Sequence, residues 1–145
     1  MTSIFPPQSV HAREIAFMLE ILASVIEGRT AVYVSTPITT GKRFLKWYVQ
    51  KKIDERVPLT EQKDMFLREV VEYNRQRARV VVRRLRHGSS KIVIDPTSIV
   101  DFPGWTQDDY RCLWGRVIER YVDRVIFIEG WQYSNGCAYE FLVAQ

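Results

Sequence analysis

At 145 residues, 46% of them hydrophobic and 26% charged, the chain reads as one domain, 1–145, large enough to bury a core. Those fractions argue against disorder, a fibrous chain or a membrane protein, and no apolar run reaches transmembrane length. The formal net charge of +4 invites a nucleic-acid reading, but most of the excess lies in Arg75, Arg77, Arg79, Arg83, Arg84, Arg86, His87 and Lys91. A basic stripe on one helix reads first as a solvated face or an oligomer contact, so no nucleic-acid partner is expected.

The opening MTSIFPPQSVHAREI has no charged start followed by an apolar core and a cleavage site, so no signal peptide is expected. Cys112 and Cys137, with His11 and His87, form no metal or disulfide pattern. The expectation is a cytoplasmic protein with no metal and no cofactor.

Residues 9–28 carry Ile15, Leu19, Leu22, Val25 and Ile26 at helical spacing, with Ser9 as N-cap and Gly28 as the close. They form an N-terminal helical extension, 1–28. AVYVS at 31–35 is β-branched and aromatic and stops at Thr36-Pro37, so it reads as a buried strand. TPITTGKR then supplies a hydroxyl-rich turn, in which Thr39, Thr40 and Gly41 can offer hydroxyls and backbone amides to an anion. A helix is predicted from Arg43 to Arg56.

After Pro58, a long helix is predicted from Thr60 to His87, with Leu67, Val70, Val71, Ala78, Val81 and Leu85 as its apolar stripe. KIVID, closed by Asp95-Pro96, is a second short strand. A loop holding Asp101 and Trp105 leads to helical spacing over 107–122. Asp123 hands over to a third strand, Val125–Ile128.

The last stretch, RVIFIEGWQYSNGCAYEFLVAQ, reads as strand, loop, helix N-terminus and acid. A helix start offers unpaired N–H groups and the positive end of the dipole, which suits anions. Glu140 shares a face with Gly136 and Cys137, so its carboxylate is expected to hang over Gly136 and to stay ionised there. Short apolar strands separated by helices imply parallel pairing with right-handed crossovers. The fold class is therefore an α/β three-layer sandwich with a small parallel sheet, Rossmann/flavodoxin-like. Ligands of such folds bind outside the carboxyl ends of the strands.

Three segments resemble the nucleoside 2-deoxyribosyltransferase-like superfamily: YVSTPITTG, the N-xxx-A-xxx-V helix from Asn74 leading to IVIDP, and DRVIFIEGWQYSNGCAYEFLVA. Together they span residues 31–145. The resemblance implies that Glu140 is a carboxylate nucleophile with Tyr33 beside it. It also implies that Ser134, with Asn135 and Gly136, contacts a substrate phosphate where free-nucleoside transferases have an aspartate. The implied activity is hydrolysis of the N-glycosidic bond of a nucleoside 5′-monophosphate or related nucleotide. A deoxyribosyltransferase and a non-catalytic nucleotide-binding module are the alternatives.

The chain also departs from that pattern. Pro37 and Thr39 stand where the nucleotide hydrolases carry Ser and Arg for phosphate, leaving Lys42 or Arg43 to supply the charge. Gly115 and Arg116 stand near the place of a base-handling aspartate, with Asp108, Asp109 or Glu119 as substitutes. The acid that protonates the leaving base is open among Asp95, Asp101, Asp109 and Glu119, and Trp131 or Trp105 is available to stack on the base. The resemblance further implies a sheet truncated at its C-terminal end and a homo-oligomer.

Overall fold

The computed structural model describes residues 10–51, 57–99 and 101–145. It is mixed α/β, with three short parallel strands in one open sheet. The strands are β1 (Ala31–Ser35), β2 (Ile92–Ile94) and β3 (Val122–Phe127), in the order β2-β1-β3. All five residues of the central strand β1 are buried. That burial explains its unbroken apolar run, since a strand covered on both faces has no solvent side to pattern.

Alternate residues of β1 serve two cores, because successive side chains of a strand point to opposite faces. Ala31 and Tyr33 pack with Ile94 and with the helices α1 (Ala12–Ile26) and α5 (Gln107–Tyr121). Val32 and Val34 pack with Val93, Ile128 and the residues Ala78 and Val82 of α4 (Tyr73–His87). The N-terminal helix supplies Ile15, Leu19 and Ile26 to the larger core, so it is built into the interior rather than appended to it.

The helix predicted over 43–56 is present as α2 (Lys42–Lys51), and its tail, 52–56, lies outside the described residues, as does the predicted cap Ser9. His11 takes the N-cap place of α1 without a side-chain cap hydrogen bond. The long helix predicted from Thr60 is present as α3 (Leu59–Phe66), a π-helical segment Leu67–Glu72, and α4. A π turn inserts one residue and shifts the face that follows it, which simple periodicity does not register. β3 starts at Val122, three residues before the predicted run, because its early pairing with β1 uses only backbone groups; Asp123 and Arg124 stay exposed. The last helix, α6, spans Asn135–Ala144. No helix among the described residues is long and apolar enough to cross a membrane.

Candidate active site

Segments that follow all three strands, together with one wall from the π segment and α4, enclose a cleft of about 640 Å³. The first loop supplies Thr36, Ile38, Thr39 and Thr40, and the second Pro96, Thr97, Ile99 and Asp101. From α5 come Gln107, Tyr110, Arg111 and Trp114, and from the start of α6 come Ser134, Asn135, Gly136, Cys137, Tyr139 and Glu140. The cleft therefore lies where ligands of open parallel sheets bind, beyond the carboxyl ends of the strands.

Two glycines hold the first and last loops together. Gly41 has φ +91, and a Cβ there would stand 2.6 Å from the Pro37 Cβ. Gly130 has φ +90, and its Cβ would stand 3.0 Å from the Lys42 Cβ. Positive φ and close approach together require glycine at both positions. From the other side, the Asn74 amide of α4 donates to the Ile38 carbonyl at 2.9 Å and the Thr40 carbonyl at 3.4 Å, fixing the first loop over the cleft.

Glu140 is the centre of the polar network. Tyr33 donates its hydroxyl to Glu140 Oε1 at 2.5 Å, and Ser35 donates to Oε2 at 2.5 Å. Tyr33 and Ser35 are two residues apart on β1, so strand geometry delivers both hydroxyls to the same face and one to each carboxylate oxygen. Both donors are fully buried, and the Tyr33 ring rests against Trp114 with centroids 5.9 Å apart. The carboxylate turns towards β1 rather than over Gly136, where the nearest neighbour of an added Cβ is the Ser134 Oγ at 3.8 Å.

The electrostatics also differ from the expectation of a carboxylate kept ionised by the helix start. Burial pushes the Glu140 carboxyl above its ordinary value, and the Ser35 and Tyr33 hydrogen bonds oppose that rise. Burial, with the neighbouring Glu140 charge, raises the Tyr33 phenol well above the usual range, so it stays a neutral donor. Cys137, also buried, is pushed up to about 11 chiefly by burial, which leaves a thiol and not a thiolate beside the carboxylate. Among the nucleophile-type groups here, Glu140 is the one set up to carry charge.

The remaining predicted residues divide clearly. Thr39, Thr40, Asp101, Ser134, Asn135, Gly136 and Glu140 line the cleft, while Tyr33 stands behind Glu140. Ser134 is buried and caps α6, accepting from the Cys137 amide at 3.4 Å. Asp95, Asp109, Glu119, Gly41 and Trp131 do not line it. The Asp95 carboxylate accepts from Thr97 N at 3.0 Å and Thr97 Oγ1 at 2.6 Å. Asp109 closes a capping box with Thr106, accepting from its amide at 2.7 Å. Glu119 is exposed on α5, and Trp131 stacks on Phe141 at 5.0 Å and packs on Phe127. Trp105 is likewise held in loop packing, donating to Glu14 at 2.7 Å and lying against Phe102.

The cations proposed for a phosphate are also engaged elsewhere. Lys42 pairs with Glu129 at 3.2 Å, and Arg43 donates to the Glu69 carbonyl and covers the Tyr73 ring. Asp108 pairs with Arg111 at 3.0 Å. The residues of the site that the sequence did not assign to it are Ser35, Trp114, Arg75 and Arg111. For Ser35 the signal was present, as it is the period-two neighbour of Tyr33. Among the described residues no group of three or more His, Cys, Asp and Glu side chains is placed to hold a metal ion.

Comparison with known proteins finds no matching family model, no matching curated protein and no matching solved structure. The chemistry of the cleft therefore rests on its own geometry.

Proposed function

We propose that the protein is a hydrolase that cleaves the N-glycosidic bond of a nucleoside 5′-monophosphate or related nucleotide, on a Rossmann/flavodoxin-like layered fold of the nucleoside 2-deoxyribosyltransferase type. The observation that carries this reading is Glu140, a half-buried carboxylate facing a cleft and gripped at both oxygens by Tyr33 and Ser35. Two hydroxyl donors oppose the burial penalty and fix the carboxylate's orientation, which a displacement at carbon needs.

In this mechanism a Glu140 oxygen attacks the anomeric carbon of the sugar. A glycosyl ester forms as the carbon–nitrogen bond breaks, and the electron pair leaves on the base nitrogen. Asp101, the other carboxylate lining the cleft among the described residues, supplies the proton or hydrogen-bonds the base edge. Water then attacks the same carbon and gives its proton back to Asp101 where Asp101 protonated the base, or to the departed base where Asp101 only hydrogen-bonded it. The ester bond breaks and returns the Glu140 carboxylate. Ser134, Asn135 and Gly136 at the start of α6 and the Thr39–Thr40 turn provide hydroxyls and amides for the phosphorylated sugar.

Chromatographic detection of free base from a panel of ribo- and deoxyribonucleoside monophosphates tests the reading. Release is expected from wild type and is lost in Glu140→Gln with the fold intact. A panel that yields no base sinks the proposal. One observation favours a second reading, a nucleotide-binding module without turnover: three of the four candidate acids stand outside the cleft. Nucleotide-induced thermal stabilisation without any product supports that alternative.

A further inference from the structure

Leu67, Val71 and Arg75, four residues apart, form one stripe on the cleft wall that ends in a cation. Arg75 is the residue after Asn74, whose amide holds the first loop at Ile38 and Thr40. Arg75 lines the same cleft as Thr39 and Thr40 of that loop.

Its condition is unlike that of the arginines around it. The Arg75 Nε is buried and has no hydrogen-bond partner among the described residues. Along the same helix, Arg79 pairs with Glu72 at 3.1 Å, Arg77 with Glu129 at 3.9 Å, and Arg86 donates to the Val93 carbonyl at 3.0 Å. A guanidinium is always charged and only donates, so a buried N–H without an acceptor is costly and demands an explanation. Glu140 does not provide one: it is bonded to Tyr33 and Ser35, and no bond joins it to the Arg75 Nε. The segment just before Arg75 is π-helical, a local geometry that collects at functional sites.

We infer that Arg75 is the anion-binding residue of the cleft, its guanidinium taking two oxygens of the substrate's 5′-phosphate side-on through Nε and one Nη. The Thr39 and Thr40 hydroxyls of the adjacent turn complete the subsite. Planar, two-pronged donation of this kind matches phosphate oxygens and distinguishes arginine from lysine. The role falls to Arg75 instead of Lys42 or Arg43, both of which are engaged elsewhere. The inference rests on the nucleotide reading for the rest of the ligand, and on Arg75 for its charged end.

Calorimetric titration in the Glu140→Gln background tests it without requiring turnover. The probes are a nucleoside 5′-monophosphate, the same nucleoside, its 5′-carboxylate analogue and inorganic phosphate. The parent is expected to prefer the monophosphate, and Arg75→Gln to lose about 10- to 100-fold in affinity for it. Inorganic phosphate competes with the monophosphate in the parent but not in Arg75→Gln. Arg75→Lys keeps the charge without the fork and falls between, which preserves the test if the glutamine variant does not fold. Arg83→Gln, on the exposed side of the same helix, leaves the affinity unchanged.

Equal monophosphate affinity in the parent and both Arg75 variants overturns the inference, as does a parent that binds nucleoside and monophosphate equally or binds none of the probes. Tighter binding of the 5′-carboxylate overturns the phosphate assignment. Arg75-dependent binding without base release from wild type removes the catalytic reading and leaves this one standing. Base release with a monophosphate preference indifferent to Arg75 does the reverse.

Discussion

Removing the Tyr33 hydroxyl is the most incisive perturbation of the Glu140 network. Tyr33→Phe keeps the ring against Trp114 and deletes one donor, at 2.5 Å, from a carboxylate that burial already disfavours in its charged form. A hydrogen bond to a charged group contributes about 1.5–3 kcal/mol. At any pH on the acid side of the profile, the ionised fraction of Glu140 is therefore expected to fall by about 10- to 100-fold. The sign follows from the opposing causes. Burial raises the carboxyl and the two hydroxyls lower it, so losing one hydroxyl moves the acid limb of base release to higher pH. The high-pH plateau falls far less, because ionisation is complete there. The assay is kcat/KM for base release across pH, beside an infrared titration of the Glu140 carboxylate with isotope-labelled glutamate. An acid limb that stays in place, or moves to lower pH, refutes the reasoning.

Three further outcomes are expected. The Glu140 carboxyl is raised in the fold, so its contribution to stability is full below the ordinary carboxylate range and lost as pH rises through the raised value. Glu140→Gln should therefore gain on wild type in melting temperature as pH rises from the ordinary carboxylate range through the raised value, whereas a pH-independent difference contradicts the burial argument. Asp109→Ala loses a capping box and should cost about 1–2 kcal/mol, or about 3–6 °C in Tm, with base release per folded molecule intact; loss of kcat at unchanged Tm would return Asp109 to the chemistry. Gly41→Ala meets both a positive φ and the Pro37 ring, while Gly28→Ala meets a positive φ in open space. Calorimetry should show the first to be the more damaging, by about 1–3 kcal/mol, and equal losses would deny the tight contact.

The strands were legible because each is a short β-branched run with a sharp stop, and buried parallel strands need no alternation to announce them. Glu140 was singled out as the acid of the last helical stretch and Tyr33 through motif resemblance, and their contact depends on α6 returning to β1, which no local pattern encodes. Ser35 was overlooked although the period of the strand places it on the Tyr33 face. The Thr106–Asp109 box was readable as a polar pair three residues apart ahead of an apolar helix, yet an acid in a suspected site draws attention away from capping. Arg75 was read as part of a solvated basic stripe. A π turn lies just before it, and periodicity measured at a constant turn does not show which face each arginine takes beyond such an insertion.

The grip on Glu140 also bears on how the molecule comes together. Its two donors lie 107 and 105 residues earlier in the chain, on the central strand. Both are bonded to Glu140 of α6, so the site closes one of the longest loops in the fold, and contacts of such separation are the slow ones to form. During synthesis β1 exists long before α6, and a chain at that stage holds two hydroxyls whose acceptor has not yet been made. Ligand binding at the cleft is therefore expected to begin only when α6 docks on β1, so that occupancy of the site reports that long-range closure.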